Sequence, residues 1–240
     1  MLNLKREVLL KALTGSYNYN LATPTSDMDF KVFVAPTFED LYKGKMYAKS
    51  IITNTVDLDV HDIRKIVDLL FKSNIAYLEL LFSDDVECHP NLARLFELRD
   101  DIARINLSQL FKSSGGMYLN RLKKLGKGTE GTQHLVDAHG YNTKEALHTF
   151  RTLNLPIRFA NNGFKDFGDA LKYNDTERRI LLGIKDGDFT EAEFIDFVKT
   201  VHDKEFVPLK EEFLRYKPNE ELKAEMDDIV MNAVKDSLLH

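Results

Sequence analysis

The chain has 240 residues and a mass of 27.6 kDa, enough for one large domain or two small ones with a sizeable buried core. Hydrophobic residues make up 43% and charged residues 30% of the composition, which excludes a disordered or fibrous protein. The net charge of -5 argues against a protein that coats nucleic acid nonspecifically, although a local basic face is compatible with it.

The sequence contains no candidate membrane span or secretion signal. Its longest stretch without an acidic or basic residue runs from residue 12 to residue 26, which is too short and too polar to cross a bilayer. Residues 1–7 carry mixed charge and have no apolar signal core. The single cysteine, Cys88, cannot form an intrachain disulfide. We therefore expect a cytoplasmic protein without a membrane partner.

The first third of the chain has the periodicity of mixed strands and helices. An apolar segment begins at Leu4 and ends at Leu13, and a polar run over residues 14–26 is predicted to form a loop. Apolar residues then alternate with polar residues over residues 30–34 and again over residues 53–60, a pattern typical of strands that bury one face.

From Asp62 onward the spacing of apolar residues becomes helical. Thr190 and Glu193 form a capping-box sequence that predicts a helix start, and Pro218 with Asn219 predicts the start of the last helix. The other predicted helices cover residues 62–74, 76–82, 92–98, 107–125, 143–159 and 176–182.

These patterns predict an α+β fold in which a mainly helical C-terminal region follows an N-terminal unit of strands and helices. The break falls between residues 85 and 110, so we assign residues 1–100 to the first domain and residues 101–240 to the second. Because no segment rich in Gly, Pro or Ser marks the break, we expect the two parts to pack together.

The segment from Gly15 to Asp29 has the composition of a phosphate and metal site. Asp27 and Asp29 are two residues apart on a predicted strand, so both carboxylates should project from the same face. Paired carboxylates without Cys or His nearby suit Mg²⁺. Gly15 allows backbone N–H groups to approach a phosphate closely, and the Ser16 hydroxyl adds a donor. The alternative interpretation of the two aspartates is a solvated strand end.

A third carboxylate on the next predicted strand, Asp57 or Asp59, can join the same site. Both fall on one face of that strand, and the alternation alone leaves either as the third member. Three carboxylates can hold two divalent ions that activate an attacking hydroxyl and stabilise leaving pyrophosphate. The pattern therefore indicates phosphoryl-transfer chemistry.

Lys144, His148 and Arg151 share one face of a predicted helix, at positions i, i+4 and i+7. Three potential cations in line suit a triphosphate. The alternative is a solvated face paired with acidic neighbours such as Glu145, and His148 can also be a core histidine.

Together these residues resemble the nucleotidyltransferase superfamily that includes DNA polymerase beta. Gly15-Ser16, the Asp27-x-Asp29 pair and a later strand carboxylate carry the general resemblance. A more specific resemblance, to the branch of predicted nucleotidyltransferases of an RNA repair pathway, spans roughly residues 9–205 and includes Lys144, His148 and Arg151 as well as residues 23–29, 61–65, 73–74 and 78–82. Asn20 stands where many members carry glycine, which is tolerable because asparagine adopts left-handed conformations readily.

The resemblance implies a nucleotidyltransferase-type mixed β-sheet with flanking helices in residues 1–100 and a helical domain that covers the active site in residues 101–240. It implies transfer of a nucleoside monophosphate from an NTP to a hydroxyl acceptor with release of pyrophosphate. The expected acceptor is an RNA end, tRNA included. Two alternatives are a catalytically inactive module that binds a nucleotide or nucleic acid, and a nucleotidyltransferase that modifies protein.

The resemblance also implies the site residues. Asp57 fits the family's third-carboxylate position better than Asp59, so the expected catalytic and metal-binding residues are Asp27, Asp29 and Asp57. The expected metal is Mg²⁺, as two ions, with Mn²⁺ as a substitute. The expected nucleotide-binding residues are Gly15, Ser16, Lys144, His148 and Arg151.

Overall fold

The computed structural model describes residues 6–53 and 55–239, which form two compact units. The first unit comprises the described residues of Met1–Asn106 and Pro218–His240, and the second comprises Leu107–Lys217. Two segments predicted from the sequence extend beyond the described residues. Leu4, at the start of the first apolar segment, lies outside them, and so does Asn54, within the second predicted strand.

The first unit contains a mixed sheet of five strands, counted over its described residues. The strands lie in the order β3-β4-β2-β1-β5, and only the β2–β4 pair is parallel among these described strands. Their bounds are Val8–Thr14 for β1, Met28–Val34 for β2, Ala48–Ile52 for β3, Val56–Asp62 for β4 and Val86–Cys88 for β5. The mixed sheet predicted from the sequence is confirmed. β2 and β4 fall on the two predicted strands, whereas β3 and β5 were not predicted.

Near the start of β2 and β4 the two faces of the sheet differ: one carries an apolar cluster, and the other, which we call the charged face, carries acidic and basic side chains. On the apolar face, side chains of β1, β2 and β4 form a buried cluster of Leu13, Phe30, Val32, Val34, Leu58 and Val60. Since successive strand residues point to opposite faces, Asp29 and Lys31 of β2 project from the other side of the sheet. The same holds for Asp57 and Asp59 of β4.

Short helices accompany the sheet in the first unit. Before the chain enters the second unit they are α1 (Phe38–Tyr42), α2 (Ile66–Phe71), α3 (Ile75–Leu78), α4 (Ala93–Glu97) and α5 (Arg99–Ala103). Turns of 3₁₀ helix cover Ile63–Lys65, Glu79–Phe82 and Pro90–Leu92. The predicted helix over residues 62–74 is therefore a 3₁₀ turn followed by α2.

The second unit is helical throughout its regular structure, as predicted. Its helices are α6 (Leu107–Leu122), α7 (Gln133–His139), α8 (Thr143–Asn161), α9 (Phe167–Leu171), α10 (Asp175–Asp186), α11 (Glu191–Val201) and α12 (Lys210–Leu214). The predicted capping box is confirmed at the start of α11, where Thr190 N–H donates to Glu193 Oε2 at 2.9 Å. Over the part of the chain that the structure describes, no helix is long and apolar enough to cross a bilayer.

The last helix, α13 (Glu220–Ser237), belongs to the first unit. The predicted start is confirmed, because Asn219 caps the helix by accepting a hydrogen bond from Leu222 N–H at 3.0 Å. Asn219 N–H in turn donates to Ile105 O at 2.9 Å, so the chain leaves and re-enters the first unit at hydrogen-bonded neighbours. The predicted buried stripe includes Leu222, Met226, Val230 and Ala233.

Candidate active site

The register of β2 against β4 aligns two of the predicted carboxylates. Asp57 of β4 is the pairing partner of Asp29 of β2, and Asp29 is in turn the partner of Thr14 of β1. Residues directly opposite each other on neighbouring strands share a face of the sheet. Asp57, Asp29 and Thr14 therefore form a row across the charged face, which we call the carboxylate row.

A second row lies one step further along the strands and is held by an ion pair. Lys31 of β2 is the partner of Asp59 of β4, and Lys31 Nζ lies 2.5 Å from Asp59 Oδ2. His61 Nε2 lies 3.0 Å from the other oxygen, Asp59 Oδ1. The Tyr77 hydroxyl lies 2.8 Å from His61 Nε2 and 3.5 Å from Asp59 Oδ2. Asp59 is thus held by a cation, an imidazole and a phenol.

The surroundings of Asp57 are different. Its Oδ1 atom is buried and has no hydrogen-bond partner among the described residues. A buried carboxylate oxygen without a donor is costly, since the charged group has lost water and gained nothing in return. This contrast between Asp57 and Asp59 favours Asp57 as the carboxylate available to a ligand.

Both rows line one cavity on the charged face, with a volume of about 160 Å³. Its polar lining includes Thr14, Asp29, Lys31, Ser50, Asp57 and Asp59. We call this space the sheet-face cavity. Thr14 donates its hydroxyl hydrogen to the backbone oxygen of Asp29 at 3.1 Å, which ties β1 to β2 beside the carboxylate.

Asp27 lies just outside this arrangement. It precedes β2 by one residue and is exposed, so it is not on the strand as predicted. Across residues 6–53 and 55–239, no three His, Cys, Asp or Glu side chains are arranged to hold a metal ion by themselves. Mg²⁺ commonly takes one or two protein carboxylates and completes its shell with water and phosphate oxygens. The pair of Asp29 and Asp57 meets that requirement, and the metal-binding role of Asp27, Asp29 and Asp57 stays a prediction.

The turn after β1 approaches the same carboxylates. Gly15 adopts a left-handed conformation with φ of +71°, and Asn20 does the same with φ of +58°, as expected of asparagine at that position. Gly15 N–H donates to Glu79 Oε2 at 3.1 Å. Asn18 Nδ2 donates to the backbone oxygen of Glu79 at 3.0 Å. The buried Glu79 therefore fixes the turn.

This anchoring changes what Gly15 offers to a phosphate. Its N–H group, which the sequence suggested as a phosphate donor, already serves Glu79. Ser16 follows it in the turn, is half-buried, and accepts a hydrogen bond from Leu21 N–H through its backbone oxygen at 2.8 Å. Phosphate binding by Gly15 and Ser16 stays a prediction.

The surroundings of Asp59 favour its ionised form. Burial on its own would raise the pKa of this carboxyl, but the hydrogen bonds and charges of Lys31 and His61 outweigh burial and lower the pKa below its ordinary value. Tyr77 shifts the other way, because burial and the nearby charge of Asp59 raise its pKa to about 12. The network therefore presents a carboxylate and a protonated phenol at neutral pH.

The predicted nucleotide-binding face of α8 lies in the second unit. Lys144 is exposed, His148 is half-buried and Arg151 is buried. Burial, followed by the charges of Arg151, Arg121, Lys144 and Lys185, holds the pKa of His148 well below its ordinary value. His148 is therefore a neutral imidazole among cations rather than a third cation. Nucleotide binding by Lys144, His148 and Arg151 stays a prediction.

The sequence also suggested that Glu145 pairs with the basic residues of α8, but in the structure Glu145 pairs with a residue of another helix. Glu145 Oε1 accepts a hydrogen bond from Arg121 of α6 at 2.9 Å. Arg121 of α6 and Lys185 of α10 thus add to the positive potential around His148. Basic residues of three helices, α6, α8 and α10, therefore contribute to the positive potential at His148. The spacing of residues along α8 alone did not reveal the contributions of α6 and α10.

Three polar residues of the sheet-face cavity were missed in the sequence: Lys31, Thr14 and Ser50. Ser50 lies on β3, which was not predicted. Lys31 follows Asp29 by two residues on a recognised strand, so the alternation that placed Asp29 on the charged face also placed Lys31 there. Thr14 had no such signal, because its place in the carboxylate row depends on the pairing of β1 with β2.

Comparisons with known proteins agree with the resemblance found in the sequence. The family model described as RlaP, RNA repair pathway DNA polymerase beta family, matches residues 3–232. No curated protein matches the chain. The match extends over parts of both compact units and includes all of the predicted site residues.

Proposed function

Because the chain belongs to the RNA repair pathway DNA polymerase beta family, we propose that it is a metal-dependent nucleotidyltransferase. It transfers a nucleoside monophosphate from an NTP to the hydroxyl of an RNA end, tRNA included, and releases pyrophosphate. The observation that carries this proposal is the in-register pair of Asp29 and Asp57, in which Asp57 Oδ1 is buried without a donor among the described residues.

The donor set of the carboxylate row fits a hard divalent cation. A buried carboxylate oxygen that lacks a hydrogen-bond donor has the chemistry of a ligand for Mg²⁺ or Mn²⁺. Asp29 and Asp57 would hold the ions, with Asp27 contributing from the start of β2. When bound, the two ions supply Lewis-acid polarisation of the α-phosphate and neutralise charge on the leaving pyrophosphate.

The chain's own residues orient the reactants. The Gly15–Ser16 turn, fixed by Glu79, receives the β- and γ-phosphates beside Asp29. Asp57 accepts the proton of the acceptor hydroxyl, and that oxygen forms a bond to the α-phosphorus. The bond between the α-phosphorus and the bridging oxygen breaks in line, and its electron pair leaves with pyrophosphate.

The basic group on α8 binds the triphosphate. Lys144 and Arg151 offset its negative charge, and neutral His148 offers one N–H donor. An anion among these cations would favour the protonated imidazole, so triphosphate binding and protonation of His148 promote each other.

A label-transfer assay tests the proposal. Wild-type protein is incubated with Mg²⁺, a pool of RNA and each NTP labelled at the α-phosphate, in parallel with Asp27→Asn, Asp29→Asn and Asp57→Asn. The matched control is Glu87→Gln on β5, which removes another sheet ion pair, to Lys11, at 2.6 Å. We expect transfer to RNA by the wild type and the control, and roughly hundredfold less with Asp29→Asn or Asp57→Asn.

The other outcomes point to the alternatives. Undiminished transfer in Asp29→Asn and Asp57→Asn would remove the carboxylate assignment. Label on the protein instead of RNA would indicate a protein-modifying nucleotidyltransferase. Magnesium-dependent NTP binding in calorimetry, with no transfer to any acceptor, would indicate an inactive binding module.

A further inference from the structure

The proposed chemistry uses Asp57 and leaves a second carboxylate in the sheet-face cavity unassigned. Asp59 lies two residues after Asp57 on β4 and lines the same cavity. Residues i and i+2 of a strand project from one face, roughly 7 Å apart along the strand. A substrate whose reacting hydroxyl is at Asp57 therefore has Asp59 beside the neighbouring substituent.

Asp59 is rigidly held and still accessible. Lys31 Nζ, His61 Nε2 and the Tyr77 hydroxyl surround its two oxygens, and Lys31 also lies over the Tyr77 ring, 5.0 Å from its centroid. The Asp59 side chain nevertheless keeps 34% of its surface exposed. A carboxylate offers about four acceptor positions, so at least one is left for a ligand donor.

The order of the carboxylate row indicates which substrate meets Asp59. The Gly15–Ser16 turn continues from Thr14, at the β1 end of the row, whereas Asp57 is at the β4 end. If the triphosphate occupies the turn, the acceptor reaches Asp29 from the β4 side. Asp59 and Ser50 line the cavity on that side.

We propose that Asp59 is a specificity-determining residue that accepts a hydrogen bond from the 2′-hydroxyl adjacent to the attacking 3′-hydroxyl of the acceptor. The substrate class is then a strand that ends in a ribose with a free 2′,3′-diol. Lys31 and His61 act as positioning residues that hold Asp59. This inference rests on the proposed function, because it requires the 3′-hydroxyl to be at Asp57.

The chemistry of a carboxylate and a hydroxyl supports recognition of the 2′,3′-diol by Asp59. An ionised carboxylate can only accept hydrogen bonds, so a 2′-hydroxyl satisfies it, whereas a 2′-hydrogen leaves it unpaired and a 2′-methoxy group offers no donor. A site that contacts the 2′-hydroxyl is what allows a protein to distinguish RNA from DNA. Asp59 thus gives the active site a physical basis for choosing RNA ends.

The test compares acceptors that differ only at the last sugar. One RNA oligonucleotide is prepared with a 3′-terminal ribose, 2′-deoxyribose or 2′-O-methylribose, and kcat and KM for transfer are measured for the wild type and Asp59→Ala. Since Asp59→Ala leaves Lys31 without this carboxylate, a second variant, Lys31→Met with Asp59→Leu, replaces the whole ion pair by apolar groups of similar size. Glu87→Gln is the matched control.

The wild type and the control should prefer the ribose end by roughly ten- to hundredfold in kcat/KM, as expected for a hydrogen bond to a charged group. Both Asp59 variants should reduce that preference to about twofold or less while still transferring label to all three acceptors. A purely structural role for Asp59 would lower transfer to the three ends equally.

Three results would overturn the inference: equal use of the three ends by the wild type, a preference that survives in both Asp59 variants, or discrimination between NTP and dNTP donors that depends on Asp59 while acceptors are used equally. Absence of transfer to every acceptor by the wild type contradicts the proposed function itself, and so is distinguishable from a failure of the Asp59 assignment alone.

Discussion

Gly15 approaches Asp29 so closely that a Cβ atom at position 15 would lie 2.6 Å from Asp29 Oδ2. Real Cβ atoms essentially never approach an oxygen that closely, so a side chain at residue 15 would require the Asp29 carboxylate to move. The turn also needs the left-handed conformation that glycine adopts at little cost. One residue thus satisfies two separate requirements.

Gly15→Ala should therefore destabilise the protein and displace Asp29. Gly44→Ala is the matched control, because Gly44 has φ of +62° but a Cβ atom there would meet no described atom within 4 Å. We expect about 1–2 kcal/mol of lost unfolding free energy for Gly44→Ala from backbone strain alone, and at least about 1 kcal/mol more for Gly15→Ala. Urea denaturation measures both, and equal losses would contradict the contact with Asp29.

Asp57→Asn should lower transfer activity and raise the stability of the protein. Without a divalent cation, the wild type keeps a buried carboxylate oxygen without a donor among the described residues, opposite Asp29 on the next strand. The amide removes one of two like charges, so we expect the free energy of unfolding to rise by about 1 kcal/mol and Tm by about 2–4 °C. Thermal unfolding in chelator checks this.

Adding Mg²⁺ should then raise the Tm of the wild type and have less effect on Asp57→Asn. A lower Tm for Asp57→Asn in chelator would show that Asp57 contributes to folding in a way that the hydrogen bonds around it do not reveal.

Replacement of Glu79 should loosen the turn that carries Gly15 and Ser16. Glu79→Leu leaves the Gly15 N–H without its acceptor, which we expect to cost about 1–3 kcal/mol and to raise the KM for NTP. Glu79→Gln keeps one side-chain oxygen and should lie between the wild type and Glu79→Leu in both respects. Denaturation measures the loss of stability, and steady-state kinetics measures the KM for NTP. An unchanged KM in Glu79→Leu would show that the turn does not take part in nucleotide binding.

His148 should make the stability of the protein depend on pH. Folding lowers its pKa below the ordinary value of 6.5, so below that pH the unfolded chain binds more protons than the folded chain. With respect to His148, the free energy of unfolding has its full value above pH 6.5. Below pH 6.5 it decreases as the pH falls, by up to about 1.4 kcal/mol per pH unit.

The variant His148→Gln should have a flatter dependence between pH 7.5 and pH 5.5, measured by denaturation at each pH. An NMR titration of His148 with and without NTP adds a direct measurement, in which we expect the triphosphate to raise the pKa of the imidazole. An identical slope in the variant would contradict the burial of His148 among cations.

Periodicity and capping were enough to predict much of the fold. β2, β4 and the helices α8, α11 and α13 have long regular patterns or cap residues that act locally. β3 was missed because its residues, Ala48–Ile52, are mostly exposed and do not alternate between apolar and polar. β5 is only three residues long, and its pairing with β1 provides the hydrogen bonds that define it.

In the candidate site, too, some features were recognisable from the sequence and others were not. The turn at Gly15 and the aspartates of β2 and β4 were recognisable because each is a local pattern. The choice between Asp57 and Asp59 was not readable from the strand, since both share a face. It depends on register: Asp57 meets Asp29, whereas Asp59 meets Lys31. Register arises from pairing between distant segments, which one strand's sequence does not contain.

The hydrogen bond between Asn219 N–H and Ile105 O gives the chain a modular topology. The helical unit, Leu107–Lys217, departs and returns at the same place, so it has the connectivity of an insertion within a shorter host scaffold. Insertions with closely spaced ends can be lengthened, exchanged or lost without breaking the host's hydrogen-bond ladder. Evolution can accordingly replace this helical insert while the aspartates of the host stay in register.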